Sequence, residues 1–200
     1  MNIFPALFGE TPSSPRLASY LDTVASSTGV KVPEAEVKAY SDAVYYNYPS
    51  LGLSLLFTPS TDSKPLMNVA AEYENILLDS IDIFNLVKSG VPSKGRTYSR
   101  FPLLPLELAI TPTTDPTSSQ DHFILKAEMT GKEILHVLGE PTRKGGGAGP
   151  SAGSINIWCD WQKHGIMVEF GGDEARGPQA WDRGKDAVWK VVTLSKRKNT

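Results

Sequence analysis

The chain has 200 residues, 40% hydrophobic and 21% charged, close to a folded globular composition and far from a disordered one. Its net charge of −2, from 20 basic and 22 acidic residues, gives no global attraction to nucleic acid or to an anionic membrane. Cys159 is the only cysteine, which excludes an intrachain disulfide and a thiolate zinc cage.

A chain of this length buries roughly 70% of its unfolded surface, so a core without covalent staples is feasible. Residues 1–10 contain an apolar stretch, Ile3 to Phe8, interrupted by Pro5. That stretch lacks a basic leader and is short for a secretory core. No run approaches the ~20 apolar residues that span a bilayer. The expected location is cytoplasmic, with the nucleus as alternative.

The first helix is announced by Ser14-Pro15-Arg16-Leu17. Serine caps free N–H groups, and proline suits the first helical position because its missing donor is not needed there. Leu17, Tyr20, Leu21 and Val24 follow on one helical face, and Gly29 is the expected stop. Residues 38–48 and 51–58 then read as two strands around the turn Tyr48-Pro49-Ser50-Leu51-Gly52, and 76–84 as an alternating strand. Residues 88–100 read as a linker. Residues 101–110, with Pro102 and Pro105, suit an edge strand, and 111–120 a Thr/Pro/Ser-rich loop.

The second helix opens on Thr130-Gly131-Lys132-Glu133, the spacing of a capping box. Ile134, Leu135, Val137 and Leu138 follow before Gly139-Glu140-Pro141. The glycine run at 145–153 reads as a flexible loop. A hairpin, 155–161 with 166–170, and a closing strand at 187–194 complete the chain.

A shift of 113 residues lays the first hairpin on the second. Val44 falls on Ile157, Tyr45 on Trp158, Asn47 on Asp160, Tyr48 on Trp161, Gly52 on Gly165, Leu53 on Ile166, Leu55 on Val168 and Phe57 on Phe170. The expected fold class is therefore α+β in two similar halves, 1–93 and 94–200, each a helix packed on a small antiparallel sheet. One continuous domain remains open.

The segment from Thr130-Gly131-Lys132-Glu133 through Leu138-Gly139-Glu140-Pro141, then Trp158 and Gly165-Ile166-Met167-Val168-Glu169-Phe170, resembles β-lactamase-inhibitor-like repeats and the SmpA/OmlA lipoprotein family. The resemblance covers about 60 residues. It implies helices on small antiparallel sheets, sometimes in tandem, and binding of other proteins. The secretion signal, lipobox cysteine and disulfides of those families have no counterpart here, so no compartment, partner or functional residue carries over.

His122, His136 and His164 do not share a metal-ligand spacing, and neither a metal nor a cofactor is expected. Cys159 next to Asp160 and near His164 could suggest a thiol nucleophile, but strand alternation turns it away from Trp158, and a buried inert thiol is the expectation. Asp160 and Glu169 lie diagonally on the second hairpin. They are the alternative catalytic pair, a hydrolase or isomerase working in a cavity between the halves; the main expectation assigns no catalytic residue. The run at 145–153 lacks a Gly-Lys-Ser/Thr ending and is no phosphate loop. The basic tail Lys196-Arg197-Lys198 reads as a solvated end.

Residues 172–186 combine Arg176, Trp181 and Arg183, a rigid aromatic with guanidinium donors of the kind found at binding hot spots. The hairpin aromatics Tyr45, Tyr46, Tyr48, Trp158 and Trp161 add a surface. The expected function is a non-enzymatic binding protein holding a protein or small molecule, with Trp158, Trp161, Arg176, Trp181 and Arg183 as ligand-binding residues and neither membrane nor nucleic acid as partner.

Overall fold

A computed structural model describes residues 3–60, 75–86, 98–111, 121–147 and 156–197. They form an α+β protein of antiparallel strands and few helices. Two compact units divide them, one of residues 3–103 with 194–196, the other of residues 104–193 with 197. All seven tyrosines of the sequence fall in 3–103 and all four tryptophans in 104–193.

In the first unit, helix α1 (Pro15–Ser26) begins where Ser14 and Pro15 place it. The Ser14 hydroxyl accepts the Arg16 N–H at 3.2 Å and donates to the Glu10 carboxylate, which Arg16 also binds. Leu17, Tyr20, Leu21 and Val24 are buried as one stripe. The Tyr20 ring meets Phe4 edge-on at 5.8 Å. Its buried hydroxyl has no hydrogen-bond partner among the described residues, and burial pushes its pKa up. An orphaned buried hydroxyl costs stability, so Tyr20→Phe should stabilise the unit by about 1 kcal/mol. Urea unfolding monitored by circular dichroism checks this; a lower midpoint in the variant would mean the hydroxyl is satisfied after all.

Strands β1 (Glu36–Ala39), β2 (Val44–Tyr48), β3 (Leu53–Pro59) and β4 (Ile76–Phe84) follow, each paired antiparallel with the next. The stretch 38–48, expected as one strand, is instead a hairpin. Tyr40 N–H donates to the Ala43 carbonyl at 2.8 Å, and the chain reverses at Ser41-Asp42, residues that favour tight turns. The β2–β3 reversal is where the Pro and Gly content puts it, a single turn of 3-10 helix closed by Gly52 at φ +63°.

Pairing of Val44 with Phe57, Tyr46 with Leu55 and Tyr48 with Leu53 makes one face of β2–β3 apolar. The opposite face carries Tyr45, Leu56, Asn47 and Ser54. Strand β4 departs from the even alternation expected of it. Leu56 faces Ser80 whereas Phe57 faces Leu78, so Asp79 is an extra residue in the ladder. This bulge lets Ile76 and Leu78 be buried as Ile81 and Ile83 are. The linker expected at 88–100 lies outside the described residues up to 97. Tyr98 stacks on Phe84 at 3.7 Å and donates to Asn47 Oδ1 at 2.7 Å.

The second unit opens with a separate two-stranded sheet, β5 (Leu106–Ala109) with β6 (His122–Leu125). β5 is shorter than the strand expected at 101–110. The loop expected after it lies outside the described residues beyond Thr111. Helix α2 (Gly131–Leu138) starts at the expected capping box, where the Glu133 carboxylate accepts the Thr130 N–H and hydroxyl at 2.8 and 2.9 Å.

Strands β7 (Arg143–Gly145), β8 (Trp158–Trp161) and β9 (Ile166–Phe170), short helix α3 (Ala180–Arg183) and strand β10 (Trp189–Ser195) follow, with strand order β10-β9-β8-β7. The glycine run therefore starts inside a strand rather than a loop; its residues 148–153 lie outside the described set. Cys159, Trp161, Ile166, Val168, Phe170, Trp189 and Val192 are buried. Gly165, at φ +65°, closes the β8–β9 reversal. Among the described residues no helix is long and apolar enough to cross a membrane.

Candidate functional site

Alternation along β8 and β9 separates two faces in the second unit. Cys159, Trp161, Ile166, Val168 and Phe170 are buried on one. On the other, Trp158, Asp160, Met167 and Glu169 are half-buried, with Trp158 opposite Glu169 and Asp160 opposite Met167. Arg143 on β7 is paired with Asp160, and its guanidinium lies 5.7 Å from the Trp158 ring centroid. Gly145 is paired with Trp158, and a methyl group there would come within 2.5 Å of the indole. The glycine is thus what allows the ring to lie over β7.

A polar chain runs along this face. Glu169 Oε1 accepts from Lys190 Nζ at 2.8 Å and from Asn156 Nδ2 at 2.7 Å. Asn156 is buried, and its Oδ1 accepts from Arg176 Nε at 2.6 Å. A carboxylate only accepts and a guanidinium only donates, so the amide has a single workable orientation. Of the Arg176 guanidinium, only Nε is engaged among the described residues. Its two Nη groups carry the donors that suit a carboxylate or phosphate. Asn156 and Trp158 are two residues apart on one face, roughly 6–7 Å along the chain. Arg176 is thereby anchored one step from Trp158.

The other sequence candidates lie elsewhere. Trp161, expected on the aromatic surface, is a core residue; it is fully buried, and its indole N–H donates to the Gly139 carbonyl at 2.8 Å. Tyr48 is buried as well, and Tyr46 lies on the core face of β2 against Phe57. Period two explains the pair on β8, where Trp158 shares the half-buried face of Asp160 and Trp161 the buried face of Cys159; on β2, Tyr45 and Tyr46 are both half-buried. Trp181, on α3, is 41% exposed, lies against Gly147 and has Lys144 Nζ 5.7 Å from its ring. Lys144 pairs with Cys159 rather than with Trp158, so Trp158 and Trp181 belong to opposite faces. Arg183 turns inward along the loop, where Nη2 donates to the carbonyls of Asp173 and Arg176 at 3.4 and 3.3 Å. It fixes the loop that carries Arg176.

Asp160 and Glu169 are diagonal neighbours on one face, as the sequence places them. Glu169 is already committed to a cation and an amide, the setting of a structural carboxylate. Cys159 is buried, which pushes its thiol pKa up to about 11 and leaves it unreactive at neutral pH. His164 is buried in the β8–β9 turn. Its Nδ1 accepts the Thr111 N–H at 3.0 Å, and burial, with Lys163 nearby, pushes its pKa down to about 4. Among the described residues no group of three His, Cys, Asp or Glu side chains could hold a metal ion.

Sequence reasoning missed Asn156 and Lys190. It also missed a shallow groove along α2 and β6, lined by Phe123, Ile124, Met129 and Val137. A trace of it was present in α2. Ile134, Leu135, Val137 and Leu138 are four apolar residues in five positions, more than one stripe can bury, and Leu135 and Val137 remain half-exposed. No protein-family model, curated protein or solved structure significantly matches the chain.

Proposed function

We propose that this chain is a non-enzymatic binding protein made of two copies of one αβ unit, and that the second copy holds a ligand on its half-exposed face. The observation that carries this reading is the Arg176–Asn156–Glu169–Lys190 chain beside Trp158. A buried amide fixes one arginine with its Nη donors turned to no partner among the described residues. Fixing a guanidinium costs side-chain entropy, and a preorganised guanidinium next to an indole suits a carboxylate or phosphate attached to an apolar group. A protein segment and a small molecule both offer that combination.

The duplication is supported by positions 113 residues apart. Leu53 and Ile166 each begin a strand, Ile76 and Trp189 do the same, and Gly52 and Gly165 take matching left-handed φ values of +63° and +65°. The resemblance of 130–170 to protein-binding tandem repeats points the same way.

A thermal-shift screen of organic acids, phosphates and carboxylate-bearing peptides tests the proposal. A ligand at 100 times its dissociation constant adds about 2.7 kcal/mol of stability, roughly 10–20 °C for a unit of this size. Arg176→Gln should abolish the shift of a true hit while leaving the unliganded melting temperature nearly unchanged. A screen without hits, or hits indifferent to Arg176 and Trp158, would remove the support for this site.

A further inference from the structure

We infer that the half-exposed face of the second unit takes a ligand with an acid group at each end of an apolar body. The inference rests on the binding site proposed above and names the class of ligand it selects. What it adds is a second guanidinium, that of Arg143, on the other side of the indole from Arg176.

Strand register sets the two arginines apart. Arg176 is held at Asn156, two residues before Trp158. Arg143 is paired with Asp160, two residues after it, and its guanidinium leans back to 5.7 Å from the ring centroid. Asn156 and Asp160 are four residues apart, roughly 13 Å of extended chain, with the indole midway. Both arginines are exposed, and Trp158 is half-buried between them.

Neither carboxylate of this face ties up a guanidinium. Glu169 is matched by Lys190 at 2.8 Å. Asp160 is level with Arg143 in the ladder, yet no ion pair joins the two. The Nη groups of both arginines thus have no partner among the described residues. A guanidinium fork fits one carboxylate with two parallel N–H···O bonds. Two forks on opposite sides of a ring fit two carboxylates, and the apolar body between them lies against the indole. The buried amide pins Arg176 at its own end of the face, which favours one acid per arginine over one acid shared by both.

Calorimetric titration of the full chain with two biphenyl probes tests the inference. One is a monocarboxylate, the other the dicarboxylate with its acids at the two para ends. The dicarboxylate should bind about tenfold more tightly. Arg143→Gln should remove that advantage and leave the monocarboxylate's affinity unchanged, so the monocarboxylate also confirms that the variant is folded. Arg176→Gln should weaken both probes. A dicarboxylate that binds no more tightly than the monocarboxylate, while both still need Arg176, would overturn this inference and leave the site standing. Equal losses of the two probes on Arg143→Gln would put both guanidiniums on one acid group and overturn it as well. If neither probe binds, or both bind without regard to Arg176, the site and the inference fall together.

Discussion

Gly52→Ala should destabilise the first unit by about 3 kcal/mol or more, whereas Gly29→Ala should cost only about 1. Both glycines have a left-handed backbone, φ +63° and +72°, so both variants carry the penalty of placing a Cβ there. They differ in their surroundings. A Cβ on Gly29 meets nothing within 4 Å, while one on Gly52 lies 2.4 Å from the Ser99 carbonyl oxygen and 2.7 Å from the Phe101 nitrogen. Those neighbours are backbone and cannot swing aside, and Phe101 N–H is itself bonded to the Phe84 carbonyl. The difference between the two variants in urea unfolding therefore isolates the close approach from the dihedral cost. Equal losses would show that the 98–101 segment yields readily.

Stability of the second unit should fall by about 3 kcal/mol as pH drops from 6.5 to 4. The folded pKa of His164 is depressed to about 4, from an ordinary 6.5, chiefly because the ring is buried and secondarily because Lys163 and Arg197 oppose a positive charge. Within that window the unfolded chain binds a proton that the folded one does not, so acid favours unfolding; below about pH 4 both states are protonated and the slope vanishes. Protonation also removes the acceptor that His164 Nδ1 offers to the Thr111 N–H. Melting temperatures of this unit from pH 7.5 to 4 should decline by roughly 12–24 °C in the wild type. His164→Asn, which keeps an acceptor near the Nδ1 position, should flatten the decline. Parallel pH profiles for the two proteins would rule His164 out as the acid-sensitive group.

Local chemistry was legible in the sequence wherever one residue type has one physical job. Ser14-Pro15 and Thr130…Glu133 marked both long helix starts, because few other residues satisfy free N–H groups. Gly52 and Gly165 marked two reversals, because the left-handed region demands glycine. What depends on long-range pairing was not legible. The Asp79 bulge follows from the partner strand, and the polarity of Ser41-Asp42 is too common to announce a turn within a Tyr- and Val-rich stretch. The site shows the same division. Arg176 and Trp158 were named from their chemistry, but nothing local distinguishes Trp158 from Trp161. Their fates depend on strand parity and on the glycine carbonyl that only the latter reaches. Asn156 could not be found by type, since an asparagine is common and its importance lies in joining two residues distant in the chain, Glu169 and Arg176.

The partition of aromatic side chains gives the molecule two built-in reporters. With every indole in residues 104–193 and every phenol in 3–103, red-edge excitation sees the later unit alone, and no label is needed to follow it. Phenol ionisation at alkaline pH reports on the earlier one, where Tyr45 and Tyr48 titrate late because they are partly withdrawn from water. Whether the two lobes melt together or in succession can thus be decided from one unmodified sample, by overlaying two optical traces.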